Sequence, residues 1–374
     1  MTSSIYLDSA SSTPLNLQVR QILLSTLDYY GNPSSLHQKG VDANNLIQLA
    51  KDKISKKLNS SSDELFFTSG ATMSNNQAIQ GFLKAHPNAD IITSCIEHDD
   101  IYLMLQNYPY DLKHYISCDN NGYLDIDCLN FQLDELQKEE RTTLLSIQWA
   151  NNEMGVIQDM KAICDLANSY PNVYIHSDAT QYIPYYSIDV GKLGIDMLSC
   201  SSQKIGGLKG TGLLYVREGI QLKPIIYGDQ GLIGGTENVP GIVCIGEAFN
   251  QLDYSKDRIQ SLKERRNYIY EQLKDDFKLV GELNNRLPNN ICLVHEGIRG
   301  EQMVALLSDM GVYISSGSAC NSHTNKASRT LTSLGYSEDL ANSSIRITIG
   351  DDVKYNDLDK AAKYIKAALN ILIN

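Results

Sequence analysis

Cysteine occurs eight times in the sequence, at positions 95, 118, 128, 164, 200, 244, 292 and 320, but never as a Cys-x-x-Cys pair. Single, scattered thiols in a long chain exclude a disulfide framework and a zinc ribbon, and they read as reduced cysteines with no metal site. Missing too is any apolar run approaching the ~20 residues that span a bilayer. The amino terminus has no charged segment leading into an apolar signal core. A cytoplasmic protein is expected. Basic residues are in deficit, 32 against 44 acidic, for a formal charge of −12. That balance excludes broad nonspecific attraction to nucleic acid or anionic membrane. No internal repeat or low-complexity tract interrupts the 374 residues, a length that allows roughly two to three domains of ~150 residues.

What is present is an alternation of short apolar runs with stretches of helical spacing. Strands are expected at Glu64 to Thr68, Ile91 to Ser94, Leu144 to Gln148, Val173 to Ser177, Met197 to Ser201 and Thr211 to Val216. Helices are expected at Leu15 to Tyr30, Gln38 to Leu58, up to His86, and Met160 to Tyr170. The alternation implies a mostly parallel sheet covered on both faces. One or two long helices from Ile242 to Phe277 then lead to further strands at Asn290 to Leu293, Tyr313 to Ser315 and Ile345 to Thr348, with helices at Glu301 to Met310 and Tyr355 to Ile373.

In such sheets chemistry gathers where strand carboxyl ends open into a crevice. Met197 to Ser201 runs into Ser-Gln-Lys204-Ile-Gly-Gly, and Val173 to Ser177 runs into Asp178-Ala-Thr-Gln181. An amine, a carboxylate and an amide at neighbouring strand ends suit pyridoxal phosphate. Its aldehyde needs an amine, and its ring nitrogen needs a carboxylate that keeps it protonated. Ser69-Gly-Ala-Thr72, between a strand and a helix, offers backbone N–H groups at a positive helix end as a phosphate cradle. Thr72 could instead cap that helix.

His176-Ser-Asp-Ala-Thr-Gln181 with Ser201-Ser-Gln-Lys204 resembles the pyridoxal-phosphate core of the class V aminotransferase family, specifically its group I cysteine desulfurases of the NifS and IscS kind. The resemblance runs from about Tyr6 to Arg346 with its motifs in family order. It implies fold type I: a large α/β domain near residues 15–256, and a smaller α+β domain made of residues 1–14 and 257–374. It implies that Lys204 carries the cofactor, that Asp178 faces the ring nitrogen, and that Gln181 and Asn152 bond the phenolic oxygen. Ala71 and Thr72 take the phosphate, with Ser201 and Gln203 beside it. His98, in Cys95-Ile-Glu-His98, stacks on the ring and is a candidate acid or base. Thr236, in Gly-Thr-Glu-Asn-Val-Pro240, reaches the phosphate of a second subunit, so a homodimer is implied. Arg346 clamps the substrate carboxylate with two parallel bonds, a geometry lysine cannot copy; its alternative is a surface ion pair.

Cys320 lies in Ser315-Ser-Gly-Ser-Ala-Cys-Asn-Ser322, a small and polar setting that suits an exposed, reactive thiolate. The resemblance makes it the persulfide carrier, with L-cysteine as substrate, alanine as product and an acceptor protein as the recipient of sulfur. Three departures touch the phosphate grip: Gln203 stands where histidine is common, Ile205-Gly-Gly-Leu replaces Tyr-Gly-Pro, and no arginine precedes Gly235-Thr236. Two alternatives remain open from the sequence. One is a transaminase or lyase on the same core, which needs no Cys320; the other is a scaffold of this fold that does not turn over.

Overall fold

The structure is a computed structural model that describes residues 4–228, 231–317 and 327–373. Strand β1 (Ile5–Tyr6) opens the chain. Seven strands follow in the first two thirds: β2 (Leu65–Thr68), β3 (Asp90–Ser94), β4 (Lys113–Ile116), β5 (Thr143–Ser146), β6 (Val173–Asp178), β7 (Met197–Ser201) and β8 (Gly212–Val216). They form one sheet in the order β2-β8-β7-β6-β5-β3-β4. The β7, β6, β5, β3 and β4 ladders are parallel, whereas β8 runs antiparallel to both β7 and β2. The carboxyl ends of β3, β5, β6 and β7 therefore share one edge.

The alternating side-chain period of a strand explains why these runs are apolar on both faces. In β5, Leu144 packs into a cluster with Ile79, Phe82 and Ile91, while Leu145 packs into a second cluster with Leu133, Ile163 and Ile175. In β7 the same division separates Met197 from Leu198. Helix Ala71–Ala85 covers the first face, and helices Ile126–Lys138 and Met160–Ala167 lie against the second. His176, inside β6, bridges the strands on either side, with its ring nitrogens 2.8 Å from Ser146 Oγ and 3.0 Å from Ser199 Oγ. Burial lowers its pKa to about 3, so it is a neutral structural ring.

Five short strands complete the chain: β9 (Lys278–Leu279), β10 (Asn290–Val294), β11 (Val312–Tyr313), β12 (Ser315–Ser316) and β13 (Ile345–Thr348). Four of them make an antiparallel sheet, β12-β13-β10-β9, and β11 pairs in parallel with β1. Helices Lys256–Leu273, Gly300–Asp309 and Tyr355–Ile373 share its apolar cluster, which includes Ile269, Leu307, Ile347 and Leu358. A single strand over Tyr313 to Ser315 was expected. The chain instead changes partner at Ile314, pairing with β1 before it and with β13 after it. The long helical stretch after Ile242 is two helices, Val239–Asn250 and Lys256–Leu273, the second capped by Ser255. The first expected helix is shorter, Leu17–Thr26; its start is set by the Asn16 side chain, which accepts from Gln18 N.

Candidate active site

Lys204 ends a single 3-10 turn, Ser202–Lys204, that follows β7 directly. Its Nζ donates to Ala10 O at 2.7 Å and to Ser11 O at 2.5 Å. Those carbonyls belong to the segment that leaves β1, so the amine is held against the start of the chain. Gln181 Nε2 donates to the same Ala10 oxygen at 3.0 Å, and Gln203 Nε2 to Ser11 O at 3.5 Å. Thr13 fastens this segment further, since Thr13 N donates to Gln203 O and Gly206 N to Thr13 Oγ1.

Asp178 closes β6 and is 4% exposed. Its Oδ1 accepts Thr180 N at 2.9 Å and its Oδ2 accepts Asn75 Nδ2 at 2.9 Å. Burial and the nearby Asp100 carboxylate push its pKa up against those hydrogen bonds. Helix Ala71–Ala85 starts at the same edge, with Gly70 at its N-cap in a conformation, φ 153°, that glycine tolerates best. A Cβ at Gly70 would meet nothing within 4 Å, so torsion and not space selects glycine. Thr72 lies inside the helix and caps nothing, which removes the capping alternative.

Asp178, Gln181, Ser201, Gln203, Lys204, Ala71, Thr72, His98, Asn152 and Arg346 all line one cavity of about 640 Å3. Thr236 does not: it is exposed and lines a different cavity, of about 620 Å3, with Lys51, Phe67 and Ser69. Cys320 lies outside the described residues. The Gly31-Asn-Pro33 segment joins two helices and is not part of the Lys204 cavity.

Arg346 sits on β13 and is 3% exposed, so it is no surface ion pair. Its Nη1 donates to Asn152 O at 2.9 Å, and its Nη2 to Asp8 Oδ1 and Ser11 Oγ, both at 2.8 Å. Asn152 is itself placed by Gln148 Nε2, at 3.3 Å from its Oδ1.

Sequence reasoning missed several residues here. Asp100 lines the cavity, with Oδ1 2.9 Å from His98 Nδ1. The backbone N of Asp100 is 3.3 Å from the same ring nitrogen. One nitrogen cannot donate to the first and accept from the second, and the shorter, charge-assisted contact places the proton on Nδ1. A neutral His98 then carries its lone pair on Nε2. Burial would raise the Asp100 carboxyl, but the His98 ring, Thr72 and Asn75 together bring it below its ordinary value. The signal was visible as a carboxylate two residues beyond a histidine at a helix start. Asn75 had none, since its role as the link between Asp178 and Asp100 depends on the sheet order. Glu97 is buried beneath the site, accepting from Gln148 N and Ser94 Oγ at 2.7 Å each. Its other oxygen has no partner among the described residues, and burial lifts its pKa to about 8.

Residues 5–360 match the family described as Aminotransferase class-V. A cysteine desulfurase IscS of Dictyoglomus turgidum is 36% identical over 372 residues, covering 96% of this chain and 93% of the relative. Another of that name from Methanosarcina thermophila is 34% identical over 99% of this chain and 93% of its own. Among solved structures, a NifS-like protein from Rickettsia africae superposes with a TM-score of 0.88 at 28% identity, covering 98% of this chain and 100% of that one. A structure described as SspA in complex with cysteine superposes at 0.78 with 30% identity, over 93% of this chain and 99% of that one.

Proposed function

We propose that this chain, which belongs to the class V aminotransferase family, is a cysteine desulfurase that converts L-cysteine to L-alanine and carries the sulfur as a persulfide on Cys320. One observation carries the reading: Lys204, Asp178 and His98, from three separate strand ends and turns, and Arg346, from within β13, line a single cavity. The similarity to desulfurases over nearly the full length supports L-cysteine as the substrate.

The residues fit pyridoxal phosphate. Asp178 and Asp100 are two acidic groups linked through Asn75, and burial makes the Asp178 charge unfavourable as it stands. Asp178 would face the cofactor's ring nitrogen, which when protonated would supply the positive charge that Asp178 lacks. The start of helix Ala71–Ala85 offers backbone N–H groups to a phosphate. When bound, the cofactor supplies an electron sink for the carbon bearing the amino group.

The chain's own groups then have distinct tasks. Lys204 would hold the cofactor through its aldehyde, and its amine is placed to move protons. Ala10 and Ser11 carbonyls fix its direction. His98 Nε2, with its tautomer set by Asp100, takes or returns a proton. Arg346 orients the substrate carboxylate. The Cys320 thiolate attacks the substrate sulfur: a sulfur–sulfur bond forms, the carbon–sulfur bond breaks with its electron pair left on carbon, and protonation of that carbon gives alanine. Thr236 lines a cavity other than that of Lys204, which supports its service to a second subunit in a homodimer. An acceptor protein takes the persulfide sulfur.

Incubation with L-cysteine and a thiol reductant is the test. Stoichiometric alanine and sulfide are expected. A new amino acid formed from an added keto acid, with no sulfide, identifies a transaminase; a colourless protein without either product identifies a scaffold.

A further inference from the structure

A further cavity, of about 920 Å3, lies between helix Lys256–Leu273 and the turn Leu283–Arg286, and shares no residue with the Lys204 cavity. Three cations line it: Lys263, Arg266 and Arg286. The two arginines are 4% and 3% exposed. Arginine stays charged in proteins, so each brings a positive charge out of water. Elsewhere in this chain buried Arg346 meets that cost with Asp8.

Here no carboxylate answers. Arg266 donates from Nε and Nη2 to Asn267 Oδ1, at 3.0 and 2.9 Å, and from Nη1 to Leu287 O at 3.1 Å, all neutral oxygens. Arg286 gives Nη2 to Val280 O, and its Nε and Nη1 have no partner among the described residues. Neither forms an ion pair with an acidic side chain among those residues. Burial brings both guanidinium groups down to about 10, and the charge of Arg266 adds to the effect on Arg286. The one acidic residue among the described residues of the lining, Asp159, has its Oδ1 engaged by Ala162 N at 3.0 Å as a helix cap. Glu282, next along the chain, accepts from Tyr123 Oη at 2.6 Å.

We propose that this cavity is an oxyanion site that takes phosphate or a phosphomonoester. A lysine with two buried guanidinium charges behind it matches an oxyanion of nearly two charges, which cancels most of the local excess. Asn284, Asn285 and Gln260 add neutral polar groups, and Tyr186, Ile157 and Leu283 give an apolar wall against which an organic remainder can lie. The site is independent of the desulfurase reading, because no residue is shared and no turnover is needed to detect it.

The experiment uses protein loaded with pyridoxal phosphate, so that the cofactor's own phosphate position is filled. Thermal unfolding and calorimetric titration are run with inorganic phosphate, with glycerol 3-phosphate, and with sodium chloride at matched ionic strength. Phosphate is expected to raise the midpoint above the chloride control, and Lys263→Glu to weaken phosphate binding about tenfold or more. Tighter binding of glycerol 3-phosphate identifies a phosphomonoester as the ligand class; equal binding identifies free phosphate. Arg286→Met is the second variant, and if it fails to fold, Lys263→Glu, at a partly exposed position, still decides. Equal effects of phosphate and chloride, or unchanged phosphate affinity in Lys263→Glu, overturn the proposal and leave the arginines to water alone.

Discussion

Replacing Arg346 with lysine tests the substrate clamp, because it keeps the charge and removes the fork. The side chain is 4% exposed, and its planar group reaches Asn152 O with one nitrogen and Asp8 with Ser11 through another. A lysine ammonium is a point charge on a flexible stem, so it can retain Asp8 but cannot hold that arrangement and present paired donors to a carboxylate. Losing about one charge-assisted hydrogen bond in a site closed to water costs roughly 1.5–3 kcal/mol, about ten- to a hundred-fold in affinity. The assay is a spectrophotometric titration with L-cysteine, since substrate binding perturbs the cofactor's absorbance. Cofactor content measured on the same sample is expected to match the unaltered protein, because Arg346 has no task in holding it. An unchanged dissociation constant for L-cysteine refutes the clamp; loss of the cofactor together with affinity shows that the substitution acted on the fold.

Lys204→Ala is expected to abolish the adduct that borohydride traps, and peptide mapping that finds the adduct on another lysine overturns the assignment. Cys320→Ser should remain yellow and respond spectrally to L-cysteine yet release almost no alanine, since a serine hydroxyl is not ionised near neutral pH; wild-type alanine rates in this variant sink the mechanism. Asp100→Asn should move the pH profile of alanine release, because the amide can no longer fix the His98 tautomer, while Asp100→Glu restores part of it; an unmoved profile removes Asp100 from the chemistry. For stability, His176 is depressed to about 3 in the folded state against ~6.5 unfolded. The unfolded chain therefore binds the extra proton between those values, and the stability present above pH 6.5 falls progressively as pH drops towards 3. His176→Gln should flatten denaturant midpoints across that window, and an equally steep loss in the variant assigns the acid sensitivity to other groups.

The large sheet was legible because its strands are buried on both faces. Met197 to Ser201 and Val173 to Ser177 read as strands bounded by turn residues; the first appears with the expected ends and the second runs one residue further, to Asp178. Lys204 and Asp178 could be placed beside each other on the strength of strand ends alone. Short elements were less visible. β4 carries too weak a pattern to stand out, helix Ile126–Lys138 was overlooked although Leu129, Leu133 and Leu136 recur at helical spacing, and the two-residue strands around Ile314 are defined by partners, not by composition. The support behind the site was the least legible. Asn75, Glu97 and Asp100 act through contacts between strands far apart in sequence, and Asp8 acquires its role only when β13 brings Arg346 to it.

The attachment of Lys204 to Ala10 and Ser11 has a consequence for biosynthesis. Residues 8–11 are synthesised before the strands of the seven-stranded sheet, yet they are fixed by the pairing of Ile5 with Val312, the Asp8–Thr348 bridge and the Arg346 guanidinium. The seven-stranded sheet can form as soon as β8 emerges, since its last residue is Val216, and domains generally fold in order of synthesis. During translation of the following third of the chain, Lys204 and Gln181 wait without the carbonyls that orient them. The nascent protein thus holds Lys204 in a built sheet before Arg346 exists, and a chain truncated anywhere before Arg346 leaves Ser11 without the guanidinium that helps to fix it.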